Sequence, residues 1–293
     1  MSHAMPDAAG FRELTAGEFE QIRKLAHEKF GLNLRDGKET LVSSRLGKMI
    51  RSRKFSSFQE YIRFVVADGS GTALTELIDA LTTNHTSFFR EAGHFEFLRQ
   101  TILPTLRERE RIAIWSAACS SGEEPYSIAF CLLDELGEAA LSRIRILATD
   151  ISTRVLEKAR QGTYPAEKFE GVPLQQLRRY VLRGEGASAG SYRVKPQIRA
   201  TVEFARVNLM DSLLQFGPVP VIFCRNVMIY FDKPTQQDLV GRLADRLEPG
   251  GYLFVGHSES LNSVKHTLQY VRPAVYRKPP SGQFNALRSF GTQ

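Results

Sequence analysis

The chain has few of the features that stabilise or anchor a protein other than by a packed core. Its three cysteines, Cys119, Cys131 and Cys224, lie inside apolar segments, and none belongs to a Cys-x-x-Cys or Cys/His ligand spacing. They are expected as reduced core thiols, and neither a disulfide framework nor a zinc module is indicated. No apolar run approaches the ~20 residues of a membrane helix, and Met1 to Gly10 lacks the apolar stretch of a secretory signal, so a cytoplasmic protein without membrane insertion is expected. His85, His94, His257 and His266 lie far apart and form no i, i+4 pair with a carboxylate, so no metal is expected. A GxGxxG loop and internal repeats are also missing.

What remains is an ordinary globular composition over 293 residues, enough for one large or two medium domains. The net charge of +7 favours an acidic partner, whether nucleic acid, anionic lipid or acidic protein, without choosing among them.

The first third reads as short amphipathic helices opened by capping boxes, in which a cap side chain and a Glu three residues on satisfy each other's amides. Thr15 with Glu18, Asp36 with Glu39, and Ser57 with Glu60 fit, while Gly31 and Gly69 sit where helices would end. A fourth segment carries Leu74, Leu77, Ile78 and Leu81, and residues 11–83 form a candidate helical domain. From Arg111 short apolar runs alternate with helical stretches, the pattern of an α/β domain with a parallel sheet covered by helices. The predicted strands are 112–117, 144–149, 202–207, 219–224 and 252–256, with helices at 124–136, 153–161 and 235–247. Pro249-Gly250-Gly251 reads as a stop and turn, and 267–271 with 274–277 as an antiparallel pair at the sheet edge. Between 180 and 206 the rhythm breaks into a predicted small hairpin around the loop from Gly184 to Gly190. The α/β domain would extend over 84–279, with a loose tail at 280–293.

Two segments carry chemistry. The run Val219 to Phe231 stops on a polar Cys224-Arg225-Asn226 step, and ligands of parallel sheets sit at the strands' carboxyl ends, so Arg225, Asn226 and Tyr230 stand where a site belongs. Thr82 to Glu91 packs Thr83, Asn84, Thr86, Ser87 and Arg90 against Phe88 and Phe89. After the first strand, Ala117 to Pro125 is a turn of small residues entering a helix. Glu123 and Glu124 there either receive a cationic ligand, favouring S-adenosylmethionine over a dinucleotide, or merely complement the helix dipole. Asp150, after the second strand, is placed to accept both hydroxyls of an adenosine ribose or to cap the next helix. Arg45, Lys48, Arg51, Arg53 and Lys54 crowd the second helix, as a solvated face or a docking surface for an acidic partner. His257-Ser258-Glu259 has a triad's composition, but no nucleophile elbow precedes it.

Taken together, TTNHTSFFRE at 82–91, WSAACSSGEEPYS at 115–127, ATDIS at 148–152, FCRNVMIYF at 223–231 and LEPGGYLFVGHSE at 247–259 resemble the CheR-type chemotaxis receptor glutamate methyltransferases, over about Thr15 to Arg277. The resemblance implies a Rossmann-like S-adenosylmethionine-dependent methyltransferase domain, a small all-helical N-terminal domain and an inserted β subdomain. It implies cofactor contacts from Asn84, Thr86, Arg90, Glu124, Asp150, Asn208, Leu209, Asn226 and Val227, with S-adenosylhomocysteine as product. Arg90 and Tyr230 become the candidate catalytic residues, Arg90 by positioning and Tyr230 by donating to the acceptor oxygen. Arg45, Lys48, Arg51 and Arg53 become a docking face for the cytoplasmic helical domain of chemoreceptors. The insertion, with Gly184, Gly186, Gly190 and Arg193, resembles the version that binds a receptor C-terminal pentapeptide. A monomer recruited to membrane receptor arrays is implied, and no nucleic acid partner. The competing readings are an RNA or DNA methyltransferase, which lacks here an Asn/Asp-Pro-Pro-Tyr/Phe segment and paired catalytic cysteines, and a receptor-binding adaptor without turnover.

Overall fold

The computed structural model describes residues 13–281, and the chain separates between Thr83 and Asn84 into two units. Residues 11 and 12, and the proposed tail beyond residue 281, lie outside the described residues.

The first unit consists of α1 (Ala16–Phe30), α2 (Glu39–Ser52), α3 (Phe58–Ala67) and α4 (Thr72–Leu81). At the start of α1 the capping box is complete: the Glu18 amide donates to Thr15 Oγ1 at 3.3 Å and the Thr15 amide to Glu18 Oε2 at 2.8 Å. Gly31, at φ 68°, ends the helix in the left-handed conformation glycine tolerates best. The box expected at Asp36 does not form. Helix α2 begins at Glu39 behind Lys38 with no side-chain cap, because the Asp36 carboxylate instead accepts from Arg23 of α1 at 2.8 Å. Before α3, Ser57 Oγ accepts from the Glu60 amide, but Glu60 reaches back to the amide of Ser56 rather than Ser57. The break expected at Gly69 runs from Asp68 to Gly71, whose φ is 71°. Phe19, Ile22, Val42, Leu46, Tyr61 and Leu77, one stripe per helix, form the core.

In the second unit α5 (Ala92–Phe97) and α6 (Leu103–Leu106) lead into β1 (Ile112–Ala117), α7 (Glu123–Leu136), β2 (Ile144–Asp150) and α8 (Thr153–Gln161). There follow β3 (Thr163–Pro165), α9 (Leu174–Tyr180), β4 (Val181–Arg183), β5 (Ser191–Val194), α10 (Pro196–Arg199) and β6 (Val202–Arg206). The last elements are β7 (Val219–Phe223), α11 (Lys233–Asp245), β8 (Leu247–Phe254), β9 (Gln269–Arg272) and β10 (Val275–Arg277). The main sheet runs β6-β2-β1-β7-β8-β10-β9, parallel from β6 to β8 and antiparallel at β10 and β9. Its strands alternate between two cores: Ile114 and Phe223 pack on one face, Trp115 and Ile222 on the other.

The chain moves outward from β1 through β2 to β6, then returns to the other side of β1 with β7. That reversal opens a crevice at the carboxyl ends of β1 and β7, where open α/β sheets bind ligands.

Two expectations are corrected. Pro249-Gly250-Gly251 is no turn between helix and strand but lies within β8, absorbed where the β7–β8 register shifts between Val219 and Val221. The backbone carbonyls of Glu248 and Pro220 would each lie 2.9 Å from a Cβ at Gly251, so only glycine fits this irregularity. The insertion begins at Thr163 rather than near 180: the expected hairpin forms between β4 and β5 across the Gly184–Gly190 loop, and β3 adds to it to make a three-stranded sheet, β3-β5-β4. Its first strand, only three residues long and ending in Pro165, carries no alternation to read, and 202–206 belongs to the main sheet as β6.

Candidate functional site

Where the parallel strands end, the backbone leaves its ordinary conformations. Ala118 and Ser120 after β1, Asn226 after β7, and Phe89 and Glu91 in the segment before α5 all have positive φ, between 49° and 74°. Non-glycine residues held there cost on the order of 1–3 kcal/mol each, and such strain gathers at functional sites. Hydrogen bonds hold it in place. The amides of Ala118 and Cys119 both donate to the Thr149 carbonyl, at 2.7 and 2.8 Å. The Ser120 amide donates to Asp150 Oδ2 at 2.8 Å and the Ser152 amide to Oδ1 at 3.0 Å. Ser152 itself caps α8, so Asp150 is released from that duty and stands half-buried between the β1 and β2 turns.

Arg225 is the node of the crevice. Its side chain is 2% exposed and donates to Glu91 and Glu124, each at 2.9 Å, and to the Arg90 carbonyl. The second oxygen of Glu124 accepts from Ser116 Oγ at 2.7 Å. Glu91 Oε1 accepts from Asn226 Nδ2 and from the His257 amide, both at 3.3 Å. Burial pushes the Glu91 carboxyl upward, but the charge and hydrogen bond of Arg225 with the two further donors hold it below the ordinary carboxylate range. Deeper burial wins at Glu124, whose pKa is raised despite Arg225.

A second carboxylate organises the turn after β7. Glu259 Oε2 accepts from the amides of Gly256 and Asn226 at 2.6 and 2.7 Å, and Oε1 from the Ile229 amide at 3.2 Å. That turn carries half-buried Asn226 and Val227 and leads to half-buried Tyr230. The His257-Ser258-Glu259 step is thus an amide clamp rather than part of a hydrolytic triad.

The other expected site residues divide by place. The Asn84 carbonyl accepts from Ser120 Oγ at 3.3 Å, beside Asp150. Thr86 is buried, and its carbonyl accepts from Lys168. Arg90 donates to the His85 carbonyl at 2.8 Å, while Glu91 pairs with Arg225 and Glu96 with Gln100, so neither acid ties it down. Asn208 Oδ1 accepts from the Met210 amide, and Leu209 is buried under α11, its carbonyl bonded to Arg242. On the first unit, Lys48 and Arg51 are exposed, Arg45 donates to the Leu81 carbonyl and to Thr83 at the end of α4, and Arg53 pairs with Glu76. In the insertion Arg193 is exposed and donates to the Gln161 carbonyl. A Cβ on Gly184 would overlap the Ser188 carbonyl, while Gly186 and Gly190 have φ of 55° and 83°.

The histidines are not all dispersed: the fold brings the rings of His94 and His257 to 4.9 Å beside Glu91. Glu91 Oε2, however, lies 2.9 Å from the Arg225 guanidinium, a fixed positive charge where a cation would sit. His94, 2% exposed, is pushed down to about 3 by burial and then by Arg225, and is neutral.

Glu91, Glu259 and Ser116 were not expected as parts of the site. Their signal in the sequence is that each is a polar residue inside one of the quoted segments, TTNHTSFFRE, WSAACSSGEEPYS and LEPGGYLFVGHSE, with no role of its own assigned there. The acceptor set suits S-adenosylmethionine: the carboxyl groups of Asp150, Glu91 and Glu124 lie in the crevice with the buried guanidinium of Arg225. Such a rim attracts an ammonium and a sulfonium and repels a pyrophosphate.

The CheR methyltransferase all-alpha domain matches residues 17–82 and the CheR methyltransferase SAM-binding domain residues 84–276. The chain is 42% identical over 263 residues to chemotaxis protein methyltransferase 2 of Pseudomonas aeruginosa, covering 89% of this chain and 93% of that one. It is 41% identical over 264 residues to the chemotaxis protein methyltransferase of Salmonella typhimurium, covering 90% of each. With that of Borreliella burgdorferi it shares 40% over 273 residues, covering 90% of this chain and 95% of that one. Two adjoining domain matches and these near full-length relatives place the chain in the CheR methyltransferase family, as an S-adenosylmethionine-binding methyltransferase.

Proposed function

We propose that the protein methylates glutamate side chains on the cytoplasmic helical domain of chemoreceptors, giving methyl esters and S-adenosylhomocysteine. The observation that carries this reading is the acid-rich crevice at the β1/β7 reversal, built around Asp150, Arg225 and Asn226, in a chain whose relatives are named chemotaxis methyltransferases. Asp150 would accept from the ribose hydroxyls, and Asn84, Thr86, Arg90, Glu124, Asn208, Leu209, Asn226 and Val227 would line the remainder of the cofactor. S-adenosylmethionine, when bound, supplies an electrophilic methyl group on a sulfonium.

A glutamate acceptor with a pKa of about 4.3 is already ionised at neutral pH, so the chain needs no general base. Its residues have to align, desolvate and hold. Arg90, whose side chain donates to a backbone carbonyl, keeps donors for orienting a carboxylate, and Tyr230 would donate to the oxygen that does not react.

Exposed Lys48 and Arg51, with Arg53, would face the acidic receptor helices, with Arg45 bracing α2 against the end of α4. β4 is an outer strand of the small sheet, and a receptor C-terminal pentapeptide would add to that sheet as a further strand, near Gly184, Gly186, Gly190 and Arg193. The working unit is a monomer in the cytoplasm, recruited through receptors.

The test is transfer of labelled methyl to receptor cytoplasmic fragments, with and without their C-terminal peptide, beside total RNA. Alkali-labile label on a receptor fragment, lost in Arg90→Ala, is expected. Label on RNA alone, or cofactor binding without transfer to any fragment, would contradict the reading.

A further inference from the structure

Glu259, whose carboxylate organises the turn after β7, touches no expected cofactor or acceptor position itself; it is 7% exposed, and its two oxygens accept three backbone amides from two different strand ends. One amide, from Gly256, belongs to its own segment after β8. The others, from Asn226 and Ile229, begin and end the turn after β7, and the Met228 amide also faces the carboxylate. Asn226 sits there at φ 60°, a left-handed conformation that asparagine tolerates better than most non-glycine residues but that fixes the direction of the turn. Gly256 is the complementary part. A Cβ at that position would overlap Asn226 Nδ2 and lie 2.7 Å from Glu259 Oε2, so the glycine lets the β8 end close onto the turn.

We infer that Glu259 is a positioning residue for methyl transfer, which clamps the Asn226–Ile229 turn and thereby sets Asn226 and Val227 toward the cofactor and Tyr230 toward the acceptor. The inference rests on the proposed reading of the turn as the cofactor and acceptor wall. The physical case is that a carboxylate is acceptor-only and can serve several amides at once. An amide side chain of the same shape turns one of those positions into a donor facing a donor. Replacement by Gln therefore leaves shape and volume intact while unlatching one end of the turn. Reacting groups displaced by as little as 1 Å lose about 100-fold in rate, so a small relaxation is enough to be measured.

The experiment uses the full chain with Glu259→Gln, and Glu259→Asp as the variant that keeps the charge but shortens the reach. S-adenosylhomocysteine binding is read by calorimetry, and kcat and receptor KM by methyl transfer, well below the unfolding midpoint of each variant. The expected result is a fall in kcat of about 10- to 100-fold and weaker cofactor binding, with receptor KM unchanged. Combined with Asn226→Ala, Glu259→Gln should weaken cofactor binding little further than Asn226→Ala alone, whereas combined with Lys48→Ala its effect should persist in full. Wild-type binding and kcat in both folded Glu259 variants, or full additivity with Asn226→Ala, would overturn the inference. Should the wild type modify no receptor, the proposed substrate fails, while the calorimetric coupling between Glu259 and Asn226 still decides the clamp.

Discussion

The helical unit and the rim of the sheet solve the same problem, satisfying polar groups that regular structure leaves over, in opposite ways. In the helical unit much of the work is local: Thr15 with Glu18, Ser57 with Glu60, and Ser70 with Asp68 lie within three residues. At the rim the partners are far apart in the chain: Arg225 with Glu124 and with Glu91, His257 with Glu91, Asn226 with Glu259. Local partners stabilise an element whatever surrounds it. Distant ones exist only when several strand ends have been brought together, and the positive-φ residues Glu91, Ser120 and Asn226 occur among them. Structure that is assembled non-locally is where cofactor chemistry is expected here.

The largest break in this comparison comes from Arg225→Met, which leaves Glu91 and Glu124 facing each other without a cation. A loss of about 3–5 kcal/mol is expected, read by urea unfolding through the fluorescence of Trp115, the chain's single tryptophan. Its counterpart on the helical unit, Arg53→Ala, removes a half-exposed pair with Glu76 and should cost less than about 1 kcal/mol by circular dichroism. A comparable loss at both sites would erase the distinction.

Gly256→Ala comes next. The new methyl must displace Asn226 or Glu259, at about 1–3 kcal/mol of overpacking, and cofactor affinity should fall with it. An alanine variant that binds S-adenosylhomocysteine as the wild type does would show the Glu259 clamp to be loose.

The rim should also answer to pH. His94 ionises at about 3 in the folded chain, below its ordinary value near 6.5, so between these limits the unfolded chain holds the extra proton. Stability is therefore lost as pH falls below about 6.5, by up to about 1.4 kcal/mol per pH unit from this one group. His94→Phe should flatten the slope of unfolding free energy between pH 6 and about 4. Glu91 acts in the same direction, its lowered pKa withdrawing stability as acid protonates it, so part of the slope should survive the substitution.

The smallest effect concerns the cap. Thr15→Ala removes the capping box of α1 and should cost about 1 kcal/mol, with cofactor affinity unchanged.

These contrasts also explain how far the sequence could be read. Strands β1, β2 and β7 were legible as bounded apolar runs, and α1 by its box and Gly31, because period and capping are local. Thr163–Pro165 was not, since three residues carry no period and its place depends on pairing with β5. Asp36 had the spacing of a capping box, yet Arg23 on another helix offered it a partner. At the rim, Asp150, Asn226 and the turn after β1 stood out as polar steps at strand ends. Glu91 and Glu259 did not, because their partners lie 134 and 33 residues away. The proximity of His94 and His257 was hidden for the same reason.

The most direct measurement is calorimetric titration of S-adenosylhomocysteine into the wild type, Asp150→Ala and Lys48→Ala. If the rim is the cofactor site and the basic helix a docking face, Asp150→Ala weakens binding by about tenfold or more, as expected for hydrogen bonds to a charged group, and Lys48→Ala leaves it unchanged. Equal affinity in the wild type and Asp150→Ala would contradict the account.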